Sequence, residues 1–444
     1  MDMTDDAQPP RSSYPVIVIG GGQAGLAISY CLRQRGIEHL ILERYQIAHA
    51  WRHRRWDSFC LVTPNWQCQL PGFAYAGDDP HGFMRKLEIV EYIESYARMF
   101  TPPVREGVAV TRLGRRPDGL FELETSEGDY TAAQVVVATG GYHLPQIPRC
   151  AERLPEDVLQ LSAAEYRNPQ ALPAGEVLVV GSGQSGCQIA EDLHLAGRPV
   201  HLCVGGAPRS PRRYRGKDVV EWLDQMGYYD LPIDRHPLKE RVREKANHYL
   251  TGRDGGREID LRRFALEGMQ LYGRLSNVRG KQLEFAPGLA QSLDQADAVA
   301  AGIKEMIDKY IAAQDLQAPV EPPYQPPWRP CEEVLTLNYR AAGISSVIWC
   351  IGYRSDYRWI DLPLFDGKGY PQHSRGVTSM PGVYFLGLPW LYTWGSGRFS
   401  GIGRDAHYLA DQIQARQSIP VAPASGAAAV SIHHHGQAQA TGGG

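Results

Sequence analysis

At 444 residues the chain is too long for one small core, and two domains are expected, each burying its own sheet. A formal net charge of -3 leaves no electrostatic footprint for a polyanion or an anionic membrane surface, so nucleic-acid and membrane partners are set aside. No apolar stretch approaches the roughly 18 to 20 residues needed to span a bilayer, the polar start is not signal-like, and the eight cysteines form no C-x-x-C pair, so a cytoplasmic protein with buried free thiols is expected.

Residues 1–13 and 419–444 are small and polar with little to bury, and both read as disordered tails. His433, His434 and His435 lack carboxylate or cysteine companions and read as a solvated run. Between the tails lie short apolar runs bounded by glycine: Val16 to Ile19, Val135 to Val137, Val177 to Val180, Val347 to Ile351 and Val383 to Leu386. Such runs followed by helical patterns are what buried parallel strands look like, which makes the fold class α/β. The first and fourth runs are expected in one domain, interrupted by an inserted second domain.

The first run opens into Gly20-Gly21-Gly22-Gln23-Ala24-Gly25 and then a helix-spaced segment. In this pattern Gly20 makes the tight turn, Gly22 lets backbone approach a diphosphate, and Gly25 lets the helix pack on the strand, with the phosphates on the helix N-terminus. Glu43 ends the next strand eighteen residues after Gly25, where a carboxylate accepts hydrogen bonds from ribose hydroxyls. Farther on, Asn65 and Gln67 offer neutral amides, which donate hydrogen bonds without giving up a proton as an acid would; a purely structural Asn after Pro64 fits equally well. Trp66, Tyr392 and Trp394 suit either an apolar substrate wall or core packing.

The third run repeats the pattern with Gly181, Ser182, Gly183, Gln184, Ser185 and Gly186. Eighteen residues beyond Gly186 stands Val204, not an acid, which removes the repulsion that a carboxylate would exert on a 2′-phosphate. Arg209, Arg212, Arg213 and Arg215 follow, and guanidinium forks suit a phosphate dianion, so NADPH is expected here, with the choice of arginine open and a solvated basic loop as the alternative. Residues 216–325 read as an amphipathic helical insertion, suited to a substrate lid or a homodimer contact, and the proline-rich stretch 318–330 as an extended connector. Two fingerprints imply two dinucleotides, FAD held by the first and NADPH exchanging at the second. The division expected is 14–170 with 331–418 for the FAD domain, and 171–330 for the NADPH domain.

With both fingerprints, VVVATGGYHLPQIP (135–148), VIWCIGYR (347–354), GVYFLG (382–387) and a segment ending C-Q-L-P (51–71), the chain resembles the two-dinucleotide flavoproteins, and among them the single-component flavin monooxygenases. It is similar to a bacterial subgroup often encoded beside nitrilase-type genes and to the plant auxin-synthesising enzymes. That resemblance implies two Rossmann-like domains, the NADPH domain inserted in the FAD domain, and flavin contacts at Arg44, Trp51, Arg52, Val110, Ala138, Thr139, Gly140 and Gly387. Trp51 and Arg52 suit packing and charge balance as well. The implied reaction is reduction of FAD by NADPH, addition of O2 at C4a, and transfer of one oxygen from the peroxide to a small organic substrate, with nitrogen compounds indicated by the bacterial subgroup and with Asn65, then Gln67, as the candidate catalytic residues that hydrogen-bond the peroxide. One departure stands out: in EDVLQLSAAEYR the family's F-x-G-x-x-x-H-x-x-x-Y/F-K/R keeps only Tyr166 and Arg167, while Glu156, Val158 and Ser162 replace Phe, Gly and His. An NADPH oxidase or quinone-type reductase on the same scaffold is the alternative; a dithiol relay is disfavoured by the Cys60 and Cys68 spacing.

Overall fold

The computed structural model describes residues 12–417. The C-terminal stretch with its three histidines therefore lies outside the described residues, as do residues 1–11; Ser13 already belongs to the first strand.

That strand, Ser13–Ile19, is the axis of a nine-stranded sheet. It pairs in parallel with His39–Leu42 on one side and with Tyr130–Val137 on the other, and Val383–Phe385 adds beyond, also parallel. Its residues alternate between faces, as a period of two requires. Val16 and Val18 enter the core built with the helices Gln23–Gln34, Lys86–Phe100 and Ile402–Gln417, whereas Ile17 and Ile19 enter the core on the opposite face. All four are buried, so the strand has no polar face, and each side chain removed from water contributes roughly 1.5–3 kcal/mol.

A second sheet repeats the plan with five parallel strands in the order Leu159–Ser162, Ile344–Trp349, Glu176–Val180, Val200–Cys203, Gln270–Tyr272. Val177 and Val179 face one core, Leu178 and Val180 the other. Ile344–Trp349 pairs with both Leu159–Ser162 and Glu176–Val180, so the fourth apolar run lies in the second sheet and not, as expected, in one domain with the first run. An apolar strand buried on both faces carries no mark of which sheet it completes.

The stretch 216–325 is also less helical than its composition implies. Leu261–Leu266 is a short helix, but the residues after it form Gln270–Tyr272, the outer strand of the second sheet, and Leu275–Arg279 and Gln282–Phe285 form an antiparallel pair. Only Leu289–Ala313 is a long helix. Among the described residues no helix is long and apolar enough to cross a membrane.

The chain passes between the sheets twice, and the two crossings pair with each other: Leu144–Pro145 lies antiparallel to Tyr353–Arg354. Side chains add further ties. Arg167 donates to the carbonyl of His53 at 2.6 Å, the Ser58 hydroxyl donates to Asp192 at 2.6 Å, and Arg212 donates to the carbonyl of Val62 at 2.9 Å.

Candidate functional site

Both glycine turns sit at the C-terminal ends of central parallel strands, where open α/β sheets bind ligands. Gly20 has φ +108° and Gly181 φ +106°, in the region that favours glycine. A Cβ at Gly20 would stand 2.8 Å from the carbonyl oxygen of Ala138, and one at Gly181 would stand 2.6 Å from that of Cys350. Gly25 and Gly186 are tighter still: a Cβ on either would fall 1.8 Å from the carbonyl oxygen of Gly20 or Gly181 respectively. The helices Gln23–Gln34 and Gln184–Leu195 are thereby pressed against their strands. Their N-caps, Gly22 and Gly183, have no side-chain capping bond, and nothing stands within 4 Å of where a Cβ would be. Each turn thus offers uncapped N–H groups, a helix dipole and room for backbone to touch a ligand, the requirements of a diphosphate.

The turns differ at the next strand. Glu43 accepts from Gly21 N at 2.6 Å and from Tyr45 N at 2.9 Å, which fixes its carboxylate beside the first turn. At the second turn there is no acid; instead Gly205 N donates to the Ser182 hydroxyl at 2.9 Å. The cation there is Arg274, just after Gln270–Tyr272, whose guanidinium lies against Gly205 and Gly206. Arg274 was not among the sequence candidates.

One cleft of about 1140 Å³ runs from the first turn to the second. It is lined by Gly20, Gly22, Gln23, Ala24, Glu43 and Arg44 at one end, and by Gly181, Ser182, Gly183, Gln184, Ser185 and Arg274 at the other. Trp51, Val110, Ala138, Thr139, Gly140 and Gly387 also line it. Gln23 braces the middle: its side chain accepts from Trp51 Nε1 at 3.2 Å and donates to the carbonyl of Gly397 at 3.2 Å. Gly25 and Gly186 lie behind the lining, in the packing role the pattern gives them.

Residues 17–229 match the family described as pyridine nucleotide-disulphide oxidoreductase. An uncharacterised CzcO-like oxidoreductase of Geobacillus kaustophilus is 35% identical over 402 residues, covering 90% of this chain and 97% of that protein. The probable indole-3-pyruvate monooxygenase YUCCA3 of Arabidopsis thaliana is 30% identical over 396 residues, covering 84% of this chain and 81% of that protein. The chain belongs to the flavin monooxygenase family. A flavin-containing monooxygenase from Stenotrophomonas maltophilia, 20% identical, shares the fold with a TM-score of 0.62 over 92% of this chain and 100% of that one.

In this member of the flavin monooxygenase family, six expected site residues lie off the cleft. Arg209 is 3% exposed and is held by Glu258, by Asp297 at 2.6 Å and by Asp260 at 3.7 Å; burial would lower its pKa, but Glu258 and Asp260 outweigh burial and raise it. Arg212 is equally enclosed, bonded to Asp218 at 2.5 and 2.7 Å. Arg213 points away from the cleft and donates to the carbonyl of Gly255 at 3.2 Å. Asn65 is buried with both ends of its amide engaged, donating to Asp79 O at 2.9 Å and accepting from Met84 N at 2.7 Å, so it is a loop brace that does not reach the cleft. Gln67 is buried beside Asp224 at 3.4 Å, also off the lining. Arg52, next to Trp51, turns instead to an ion pair with Glu94. Trp66, Tyr392 and Trp394 are off the lining as well.

The two surviving fingerprint residues have a visible task. Tyr166 is fully buried and donates to Asp192 at 2.7 Å, the carboxylate that also receives Ser58 and Arg253, while Arg167 reaches His53. They fasten the second sheet to the segment that carries Trp51. Among the cysteines, Cys203 and Cys350 reach the cleft, and burial pushes both thiols up, Cys350 to about 12. A dithiol relay needs an accessible low-pKa thiolate, and neither supplies one.

Proposed function

We propose that the protein is an FAD- and NADPH-dependent monooxygenase acting on a small organic substrate. The observation that carries this reading is the single cleft joining two uncapped glycine turns, with a carboxylate fixed at one and a free guanidinium at the other. When bound, FAD and NADPH would supply the redox chemistry, two electrons as hydride from the nicotinamide and activation of O2 by reduced flavin, with one oxygen atom going to the substrate and the other to water.

The chain's part is binding and enclosure. Gly22, Gln23 and Ala24 hold the FAD diphosphate on the helix N-terminus and Glu43 takes ribose hydroxyls. Gly181 to Ser185 receive the NADPH diphosphate, and Arg274 replaces the arginines of 209–213 as the partner of the 2′-phosphate. Trp51, Trp56, Phe59, Leu61 and Phe399 form an apolar wall that excludes water from the space between. The eight free thiols suit a reducing, cytoplasmic compartment.

The test is to purify the protein, measure bound FAD, and screen amines, sulfides, ketones and 2-oxo acids under labelled O2 with NADPH. Substrate-stimulated NADPH use with label in the product supports the proposal. NADPH use that ends wholly in hydrogen peroxide, for every class, would replace it with the second reading, an NADPH oxidase. That second reading draws on the withdrawal of the Asn65 and Gln67 amides from the cleft.

A further inference from the structure

Among the described residues, two guanidiniums of the cleft, those of Arg55 and Arg398, are stripped of water by burial and have no counter-ion. Arg55 lies over the rings of Trp51 and Phe59, 5.1 and 5.5 Å from their centroids, and donates to the carbonyl of Arg54 at 2.8 Å. Arg398 lies 3.9 Å over the ring of Trp394 and donates to Trp394 O at 2.5 Å and Asn247 Oδ1 at 3.0 Å. Both line the cleft, and both are half-buried. Among the described residues neither has a carboxylate at ion-pair distance; every partner is a neutral oxygen or an aromatic ring. By contrast Arg52, Arg209, Arg212, Arg253, Arg257 and Arg262 each face a carboxylate.

The two guanidiniums frame one stretch of the cleft. Trp51, beneath Arg55, stacks on Phe399, next to Arg398, at 5.7 Å, and the Tyr142 phenol lies within electrostatic reach of both cations. Burial pushes both guanidinium pKa values down, the mark of charge stripped of water without an anion in return. A cation so placed costs free energy that an entering anion recovers, and a planar guanidinium stacked on an aromatic ring keeps its edge free for a carboxylate. The cofactor phosphates have their own receptors, since each diphosphate meets a helix N-terminus and Arg274 stands by Gly205 and Gly206. Trp56, Phe59 and Leu61 offer an apolar surface beside the pair.

The geometry points to Arg55 and Arg398 as a carboxylate subsite, so that the molecule bound in this cleft is an organic acid with an apolar body. This deepens the proposed function by naming a substrate class and rests on that reading for the word substrate; binding itself needs no turnover.

The test uses the holoprotein with FAD and NADP⁺ bound, titrated calorimetrically with phenylacetate, 4-phenylbutyrate and hexanoate, each against its amide. At least one acid should bind about tenfold or more tighter than its amide. Arg55→Met and Arg398→Met should each bring that ratio towards one while leaving amide affinity, FAD content and NADP⁺ affinity unchanged, and the Lys variants should keep part of it. No acid binding more tightly than its amide would overturn the inference, as would an unchanged ratio in both Met variants. Loss of FAD or NADP⁺ in step with loss of acid would also overturn it, by assigning the guanidiniums to cofactor phosphates. Acid-selective binding in a protein that oxygenates nothing would support the subsite and count against the proposed function alone.

Discussion

Replacing Arg274 with Met should weaken use of NADPH and leave use of NADH alone. The guanidinium lies against Gly205 and Gly206 at the edge of the second turn, with no acid at the end of Val200–Cys203 to oppose a phosphate. A charge-assisted hydrogen bond is worth about 1.5–3 kcal/mol when sheltered. Arg274 is exposed, and screening brings the figure down to about 1–2 kcal/mol, or roughly 5- to 30-fold in the KM for NADPH. Steady-state KM for both nucleotides, with kcat as the check that the flavin is still reduced at the normal rate, reads this directly. Arg213→Ala is the internal control and should change neither KM, because its side chain turns to Gly255. Arg209→Ala should cost about 3–5 kcal/mol of folding stability by abandoning Glu258 and Asp297 without altering the preference between the two nucleotides. An unchanged NADPH to NADH ratio in Arg274→Met, or a changed one in Arg213→Ala, would refute the assignment.

Gly25→Ala and Gly186→Ala should each empty one nucleotide site, because the added methyl falls 1.8 Å from a backbone carbonyl that cannot retreat; flavin absorbance per protein should drop in the first and NADP⁺ affinity in the second, and full retention in either would contradict the packing role. Asn65→Ala removes two buried hydrogen bonds and should lower stability by about 2–4 kcal/mol in chemical unfolding while the fraction of NADPH lost to peroxide stays the same; a large rise in that fraction would restore Asn65 to catalysis. Asp405 is 1% exposed, its nearest cation is Arg375 Nε at 3.6 Å, and burial holds its carboxyl up at about 6, from an ordinary 3.8. A folded-state pKa above the unfolded one means that the native state binds the extra proton, so this group's contribution is complete below the unfolded value and is lost as pH rises through about 6. The loss amounts to about 3 kcal/mol at most, and Asp405→Asn should gain on the unaltered protein by that order between pH of about 4 and about 7; parallel stability curves for the two proteins would speak against it.

The two glycine turns were legible because their demands are local: a positive φ, a close carbonyl and an open N-cap are all set within about six residues of Gly20 or Gly181. Glu43 was legible by its position, at the end of the next strand and eighteen residues after Gly25. Arg209 and Arg212 were misread because their partners are distant or depend on a turn: Glu258 and Asp297 lie far along the chain, and Asp218 comes round only through the hairpin Arg213–Tyr214 with Lys217–Asp218. Arg274 had a usable signal. It follows a β-rich Leu-Tyr-Gly at the carboxyl end of a strand, but that strand was hidden inside a stretch read as helix. Asn65 and Gln67 had the right chemistry for their expected task, and what sequence could not convey was that nearby backbone groups had already claimed the Asn65 amide. Arg55 and Arg398 look like any surface arginine until the absence of an opposing acid is seen in three dimensions.

The pairing of Ile344–Trp349 with both Leu159–Ser162 and Glu176–Val180 has a bearing on biosynthesis. As the polypeptide leaves the ribosome, Glu176–Val180 emerges long before its neighbour, and for more than 160 residues one of its edges stays unsaturated. The N-terminal half waits longer, since Val383–Phe385 and Ile402–Gln417 arrive only near the end. The first sheet therefore cannot be completed by a chain that stops early, whereas the second, whose strands all fall within 159–349, closes before it, and the open edge of the first invites mispairing until synthesis is nearly finished.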